Sequence, residues 1–154
     1  MSAATPATNR SAVTSREVLD RLLHLTAQGP TEEMAEVFAE DAVFEMPFLP
    51  PGAPQPEAGR EAFRAHLREG ADLQRHTGVD NVRVHETADP EVVITEYRLH
   101  GLVTATGKRF AFDIVMIARV RGGLITWSRV YSNPLDGAIA FDMVDGLLGG
   151  LSAA

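Results

Sequence analysis

The sequence predicts an α+β domain in which helices cover one face of a curved sheet. Three observations predict it. From Thr14 to about Leu73 apolar residues recur at helical intervals, with one short extended run between. From Val79 to Ser132 the pattern changes to extended runs separated by turn signals. The chain has 154 residues, 45% hydrophobic and 23% charged, which suits one domain with its own core and leaves no room for a second.

Residues 1–13 are rich in Ala, Thr and Ser and are expected to form a disordered tail. The single domain is expected to span 14–151. Thr14 with Glu17 three residues on has the spacing of a capping box. Val18, Leu19, Leu22, Leu23 and Leu25 then mark a first helix, which Gly29-Pro30 stops. Thr31 is the next candidate N-cap, followed by Glu32 and Glu33, with Met34, Val37 and Phe38 as the apolar stripe of a short second helix. Asp41–Phe48 suits a short strand that Pro47 confines to an edge or ends. Residues 49–58 hold four prolines and a glycine and are long enough for a pocket rim. Arg60 to Leu73 predicts a third helix with Phe63, His66, Leu67 and Gly70 on one face. Strands are expected at 79–85, 91–104, 108–120 and 124–132, the last pair joined at Arg121-Gly122-Gly123. Asn133-Pro134 ends the sheet. Residues 137–151 suit a final helix weakened by four glycines. A curved antiparallel sheet of this kind buries its concave apolar face and leaves a pocket at the open end.

The formal net charge of −7 makes the chain a poor partner for nucleic acid or an anionic membrane. Cysteine is absent, which removes disulfides, thiol nucleophiles and Cys-based zinc sites. No apolar run approaches the roughly 20 residues of a membrane helix, and Met1–Ser15 has no secretory apolar core. A cytoplasmic location is therefore expected. The five histidines (24, 66, 76, 85, 100) show no metal-ligand spacing. No phosphate-binding glycine loop follows a strand, and no Gly-x-Ser-x-Gly elbow occurs. No metal and no cofactor are expected.

Four phrases, Phe38–Phe48 (FAEDAVFEMPF), Gly59–Phe63 (GREAF), Gly122–Ile125 (GGLI) and Arg129–Pro134 (RVYSNP), in this order and spacing resemble the SnoaL-like branch of the nuclear transport factor 2 and ketosteroid isomerase superfamily. The resemblance spans residues 15 to 145. It is strongest to the phenazine-biosynthesis A/B type, which also carries an EMPF phrase early and an Asn-Pro phrase late. It implies a cone-shaped curved antiparallel sheet wrapped by three N-terminal helices around an apolar pocket, and a homodimer through the outer sheet face. It further implies an active-site histidine on the third helix and an acid after Asn-Pro, here His66 and Asp136. The isomerase base is missing, because Met46 stands before Pro47 in its place. The last strand carries no acid, unlike the polyketide cyclases.

A polar group in such a dry pocket titrates near neutral pH and can move protons. His66 shares its predicted face with Phe63 and Leu67; the plainer reading is a core histidine bonded to a carbonyl. Asp113 lies in an apolar strand on the face of Val115, and the plainer reading pairs it with Arg109. Asp136 reads equally as a helix N-cap. The expected catalytic residues are His66, Asp113 and Asp136. The expected substrate contacts are Tyr97, Phe44, Met46, Phe63, Val115, Ser128, Val130 and Ser132. The expected function is that of a cofactor-free enzyme of secondary metabolism, cyclising, isomerising or dehydrating a small apolar carbonyl compound. The alternatives are a non-catalytic binding or dimerisation module and, more weakly, an epoxide hydrolase.

Overall fold

The computed structural model describes residues 12–153, so the expected tail lies outside the described residues except for 12 and 13. Helix α1 runs Ser15–Gln28 and opens on the predicted box: Thr14 accepts from the Glu17 N–H, and the Glu17 carboxylate accepts from the Thr14 N–H. Its buried stripe is Val18, Leu19, Leu22, Leu23, Leu25 and Thr26. The Thr26 hydroxyl is satisfied inside the helix by donating to the Leu22 carbonyl at 2.8 Å.

The expected second helix is a 3-10 stretch, Glu32–Val37, and the Thr31 side chain does not cap it. Six residues are too few to repay an α-helical nucleus. Its end is also pulled straight into strand β1, Phe38–Glu45, which starts three residues earlier than the alternation suggests. The cause is Phe38, whose ring packs 5.1 Å from Phe44 and 4.9 Å from Phe63. Strand β1 ends before Pro47, which has no N–H to donate.

Helix α2, Arg60–Leu73, has the expected bounds. Four strands follow: β2 (Gln74–Glu86), β3 (Val92–Val103), β4 (Arg109–Arg121) and β5 (Leu124–Ser132). Strand β2 leaves α2 with no loop and carries two bulges, between His76 and Gly78 and between Asp80 and Arg83; Asn81 sits in the second at φ 52°. The curved, unclosed sheet has the order β1-β5-β4-β3-β2. The meander β2 to β5 is antiparallel, as expected, but β1 joins β5 in parallel. Chain direction at β1 is set by the crossover through α2 and the rest of the sheet, which local alternation does not encode.

The final helix is two helices, α3 (Pro134–Ala140) and α4 (Val144–Ser152). They part at Asp142, whose φ of 54° is left-handed and cannot continue a helix. Asn133 caps α3 by accepting from the Leu135 N–H, so the cap foreseen at Asp136 lies three residues earlier.

Alternation gives the sheet two sides. The side under the helices carries Val93, Thr95, Tyr97 and Leu99 from β3 and Phe110, Phe112, Ile114, Met116 and Ala118 from β4. The outer side carries Glu96, Arg98 and His100, then Asp113, Val115 and Ile117, then Trp127, Arg129 and Tyr131. The main core joins α1, Val37, Phe38, Leu67, Val93, Met116 and Ile125; a second cluster gathers Leu99, Val103, Phe110 and Ala140.

Candidate functional site

A cavity of about 470 Å³ opens where β1 and β5 end, beside the first half of β4, and α3 and α4 fold back over it. Its walls are Met46, the Phe48–Pro51 loop, Phe112, Val130 and Ser132, then Asn133, Pro134, Phe141, Met143 and Leu147. Gln55 fixes one wall: its carbonyl accepts from the Met46 N–H at 3.0 Å and its amide donates to the Met46 carbonyl at 3.1 Å. The opposite wall is held by Lys108, which donates to the Ile139 carbonyl at 2.6 Å at the end of α3. Ser132 and Asn133 carry the polar side chains of the wall, and no ionisable side chain of the described residues lines it. The Asn133 carbonyl oxygen is engaged in the α3 cap, so its amide N–H groups are the donors it can offer.

The structure does not bring the predicted acid–base residues together. His66 is exposed on α2. The buried face of α2 centres on Arg60, Phe63, Arg64 and Leu67, because the two arginines bond inward. Arg60 donates to the Phe38 carbonyl at 2.7 Å, and Arg64 donates to the Glu32 carbonyl and the Glu36 carboxylate. Their inward bonds rotate the helix and turn His66 out. Asp113 is on the outer side of the sheet, its side chain 79% exposed and 3.5 Å from Arg98. Shielding by an apolar strand therefore does not hold for it: Phe112, Ile114 and Met116 face the core, and Asp113 and Val115 face away. Asp136 is half-buried in α3, between cavity-lining Pro134 and Gly137.

Of the expected substrate contacts, Met46, Val130 and Ser132 line the cavity. Phe44 and Phe63 belong to the aromatic trio with Phe38, in the core beneath it. Ser128 is sealed in the core at 2% exposure. Val115 stands opposite Tyr131 on the outer side. Tyr97 packs between the two core clusters, and burial alone pushes its hydroxyl up to about 12, so it stays protonated at neutral pH. Beside it on the strand, the Thr95 hydroxyl is fully buried without a partner.

Phe112, Asn133, Phe141 and Met143 were not foreseen in the wall. Asn133-Pro134 marked the end of the sheet and so carried a signal. Phe141 and Met143 became visible only once α3 and α4 turned back.

The outer side holds its own polar cluster. Glu45 accepts from the Trp127 indole N–H at 3.0 Å and from Arg129 at 2.7 Å. These bonds, the indole first, hold the Glu45 carboxyl below its usual value. The Arg129 guanidinium lies 5.2 Å from the centre of the Trp127 ring. The cluster ties β1 to β5. His76 sits on the core side of β2 with Nδ1 2.7 Å from the Thr26 carbonyl; burial keeps its pKa below the ordinary value despite that bond.

Comparison with known proteins agrees with this architecture. The family of SnoaL-like domains matches residues 19–128. An uncharacterized PhzA/B-like protein of Pseudomonas aeruginosa is 33% identical over 123 residues, 79% of this chain and 85% of that protein. A solved Bacillus subtilis structure, provisionally described as an isomerase, superposes with a TM-score of 0.77 at 26% identity, covering 84% of this chain and 93% of the other. A phenazine biosynthesis-related protein of Pseudomonas aeruginosa gives a TM-score of 0.70 at 20% identity, covering 91% of this chain and 90% of its own.

Proposed function

The chain belongs to the SnoaL-like domain family, and on that premise we propose that it is a cofactor-free enzyme of the cyclase or isomerase kind. It holds a small apolar, carbonyl-bearing molecule in the cavity at the open end of the sheet. The observation that carries this reading is the wall itself: about 470 Å³ bounded by carbon, with a hydroxyl from Ser132 and an amide from Asn133. Such a site desolvates an apolar ligand and leaves two donors for one carbonyl oxygen. The solved relative described as an isomerase supports the same class.

The chemistry follows from the wall. A molecule folded in a rigid cavity is held near its reacting geometry, and such positioning contributes up to roughly 7–11 kcal/mol in favourable cases. The common step of isomerisation and of aldol-type cyclisation is loss of a proton from the carbon beside a carbonyl. In our reading the Ser132 hydroxyl and the Asn133 amide donate to the carbonyl oxygen and stabilise the enolate. Asp136, half-buried on α3 beside the wall and alone of the three expected acid–base residues in a wall-forming segment, is the base of this reading: its side chain must turn into the cavity to take the proton and return it at the new carbon. His66 and Asp113 have no part in this step.

A second reading keeps the cavity and drops the chemistry. The lack of an ionisable side chain in the wall, among the described residues, favours a protein that binds its ligand unchanged. One experiment separates the two. The protein is incubated in D2O with a soluble aromatic 1,3-diketone, and exchange at the carbon between the carbonyls is followed by proton NMR. The catalytic reading expects accelerated exchange, lost when Val130→Trp fills the cavity and cut roughly 10²-fold by Asp136→Asn. Saturable binding of the diketone without acceleration overturns the catalytic reading and leaves the binder.

A further inference from the structure

A second cavity, of about 480 Å³, opens on the outer side of the sheet, where β2, β3 and β4 lie beside one another. Here the bulge between His76 and Gly78 displaces the edge strand, and two bare glycines, Gly78 and Gly101, contribute to the lining. Arg75 and Arg109 stand on either side of Leu102, in register across the three strands. Two strand spacings put their backbones about 9.5 Å apart, within reach of one small ligand held between two guanidinium groups. Neither arginine's side chain has a hydrogen bond or ion pair among the described residues. By contrast, Arg64, Arg68, Arg119, Arg121 and Arg129 each engage a carboxylate. His100 faces the same cavity with Nε2 2.9 Å from the Asp80 carboxylate, which fixes the ring and leaves Nδ1 available. The chain carries a net charge of −7, so a concave surface lined by two arginines and a single carboxylate, Asp80, which is engaged by His100, is a local excess of positive charge.

We propose that this cavity binds a small oxyanion, a carboxylate or a phosphate group, between Arg75 and Arg109. A guanidinium presents parallel N–H donors that match both groups bidentately, which a lysine does not. The Thr77 segment and Gly78 supply a floor on which a side chain would intrude: a Cβ on Gly78 meets nothing within 4 Å and so has the open cavity to fill. The site is independent of the apolar cavity, whose wall shares no residue with it.

Isothermal titration of the full chain with inorganic phosphate and, separately, with succinate tests the proposal at low ionic strength. Saturable binding of at least one anion is expected, and comparison of the two identifies the preferred group. Arg75→Ala and Arg109→Ala should each weaken binding tenfold or more. Arg83→Ala removes the same charge elsewhere on β2 and should leave it unchanged. Gly78→Val, which alters volume and not charge, should weaken binding as well, with melting curves confirming the fold of each variant. Absence of saturable binding, or an equal loss in all three arginine variants, overturns the proposal, the latter because diffuse charge alone then explains the attraction.

Discussion

His76 is a single residue whose position makes pH a probe of the fold. Its ring is wedged between β2 and the end of α1, and burial depresses its folded-state pKa below the value of 6.5 that applies to the unfolded chain. As pH falls below about 6.5 the unfolded chain takes up the proton first, so the stability contributed at higher pH is lost until the folded-state value is reached. His76→Gln keeps a side-chain donor for the Thr26 carbonyl and removes the titration. We expect chemical denaturation of the parent between pH 7 and 5 to show an extra loss of at most about 1.4 kcal/mol per pH unit relative to that variant. Parallel curves refute the assignment. Tyr97 behaves in the opposite sense. Its value is raised to about 12, so its contribution is whole below pH 10 and is lost between 10 and 12. In a Tyr131→Phe background the phenolate absorbance should therefore emerge near pH 12. An inflection near 10 would mean that the ring is solvated.

Among the elements, α4 is the least secured and the one most exposed to test. It has three glycines in nine residues, lines the cavity through Leu147, Gly146 and Gly150, and leaves Leu148 and Leu151 about half exposed. Ending the chain after Met143 should keep the cooperative melt of the core, because the sheet and α1 do not depend on α4. It should also reduce the affinity for a neutral apolar probe such as N-phenyl-1-naphthylamine at least tenfold; an unchanged affinity would remove α4 from the wall. The elements also show how much of the molecule was legible in advance. The capping box at Thr14, the bounds of α2 and the three strands β3 to β5 are local signals, and they translated directly; β2 begins at Gln74, five residues before the expected Val79, because α2 passes into it without a loop. The rotation of α2 was not local. It depends on Arg60 and Arg64 finding carbonyls and carboxylates in the 3-10 stretch and β1, and those contacts exist only after the chain has folded. His66 was therefore placed on the wrong face by a pattern that counted arginines as solvent-facing. Asp113 was misjudged for a related reason. Its strand is apolar on both faces, so alternation gave two faces without saying which one the helices cover.

At the scale of the whole molecule the outer side of the sheet is the surface that most invites a partner. Ile94, Val115, Ile117, Trp127 and Tyr131 are all on it and only partly covered, and aromatic residues with arginine are the side chains that pairing surfaces favour. Two copies packed through this patch would leave the Arg75–Arg109 cavity clear. Arg109 lies six residues along β4 from Val115, the nearest member of the patch on that strand, roughly 20 Å at strand spacing. Sedimentation velocity should give a dimer at micromolar concentration, and Ile117→Asp should shift it to the monomer with the fold intact. A parent that sediments as a monomer would dismiss the pairing.

The Glu45–Trp127–Arg129 cluster has a practical consequence of its own. The chain has one tryptophan, and its indole sits at one end of that patch with its N–H fixed on a carboxylate. If two copies pair through this patch, emission from the native protein is an unlabelled gauge of that association. Dilution that separates two copies should wet the indole and shift its spectrum to the red, while loading the apolar chamber on the opposite side of the sheet, which the indole does not line, should change its colour less.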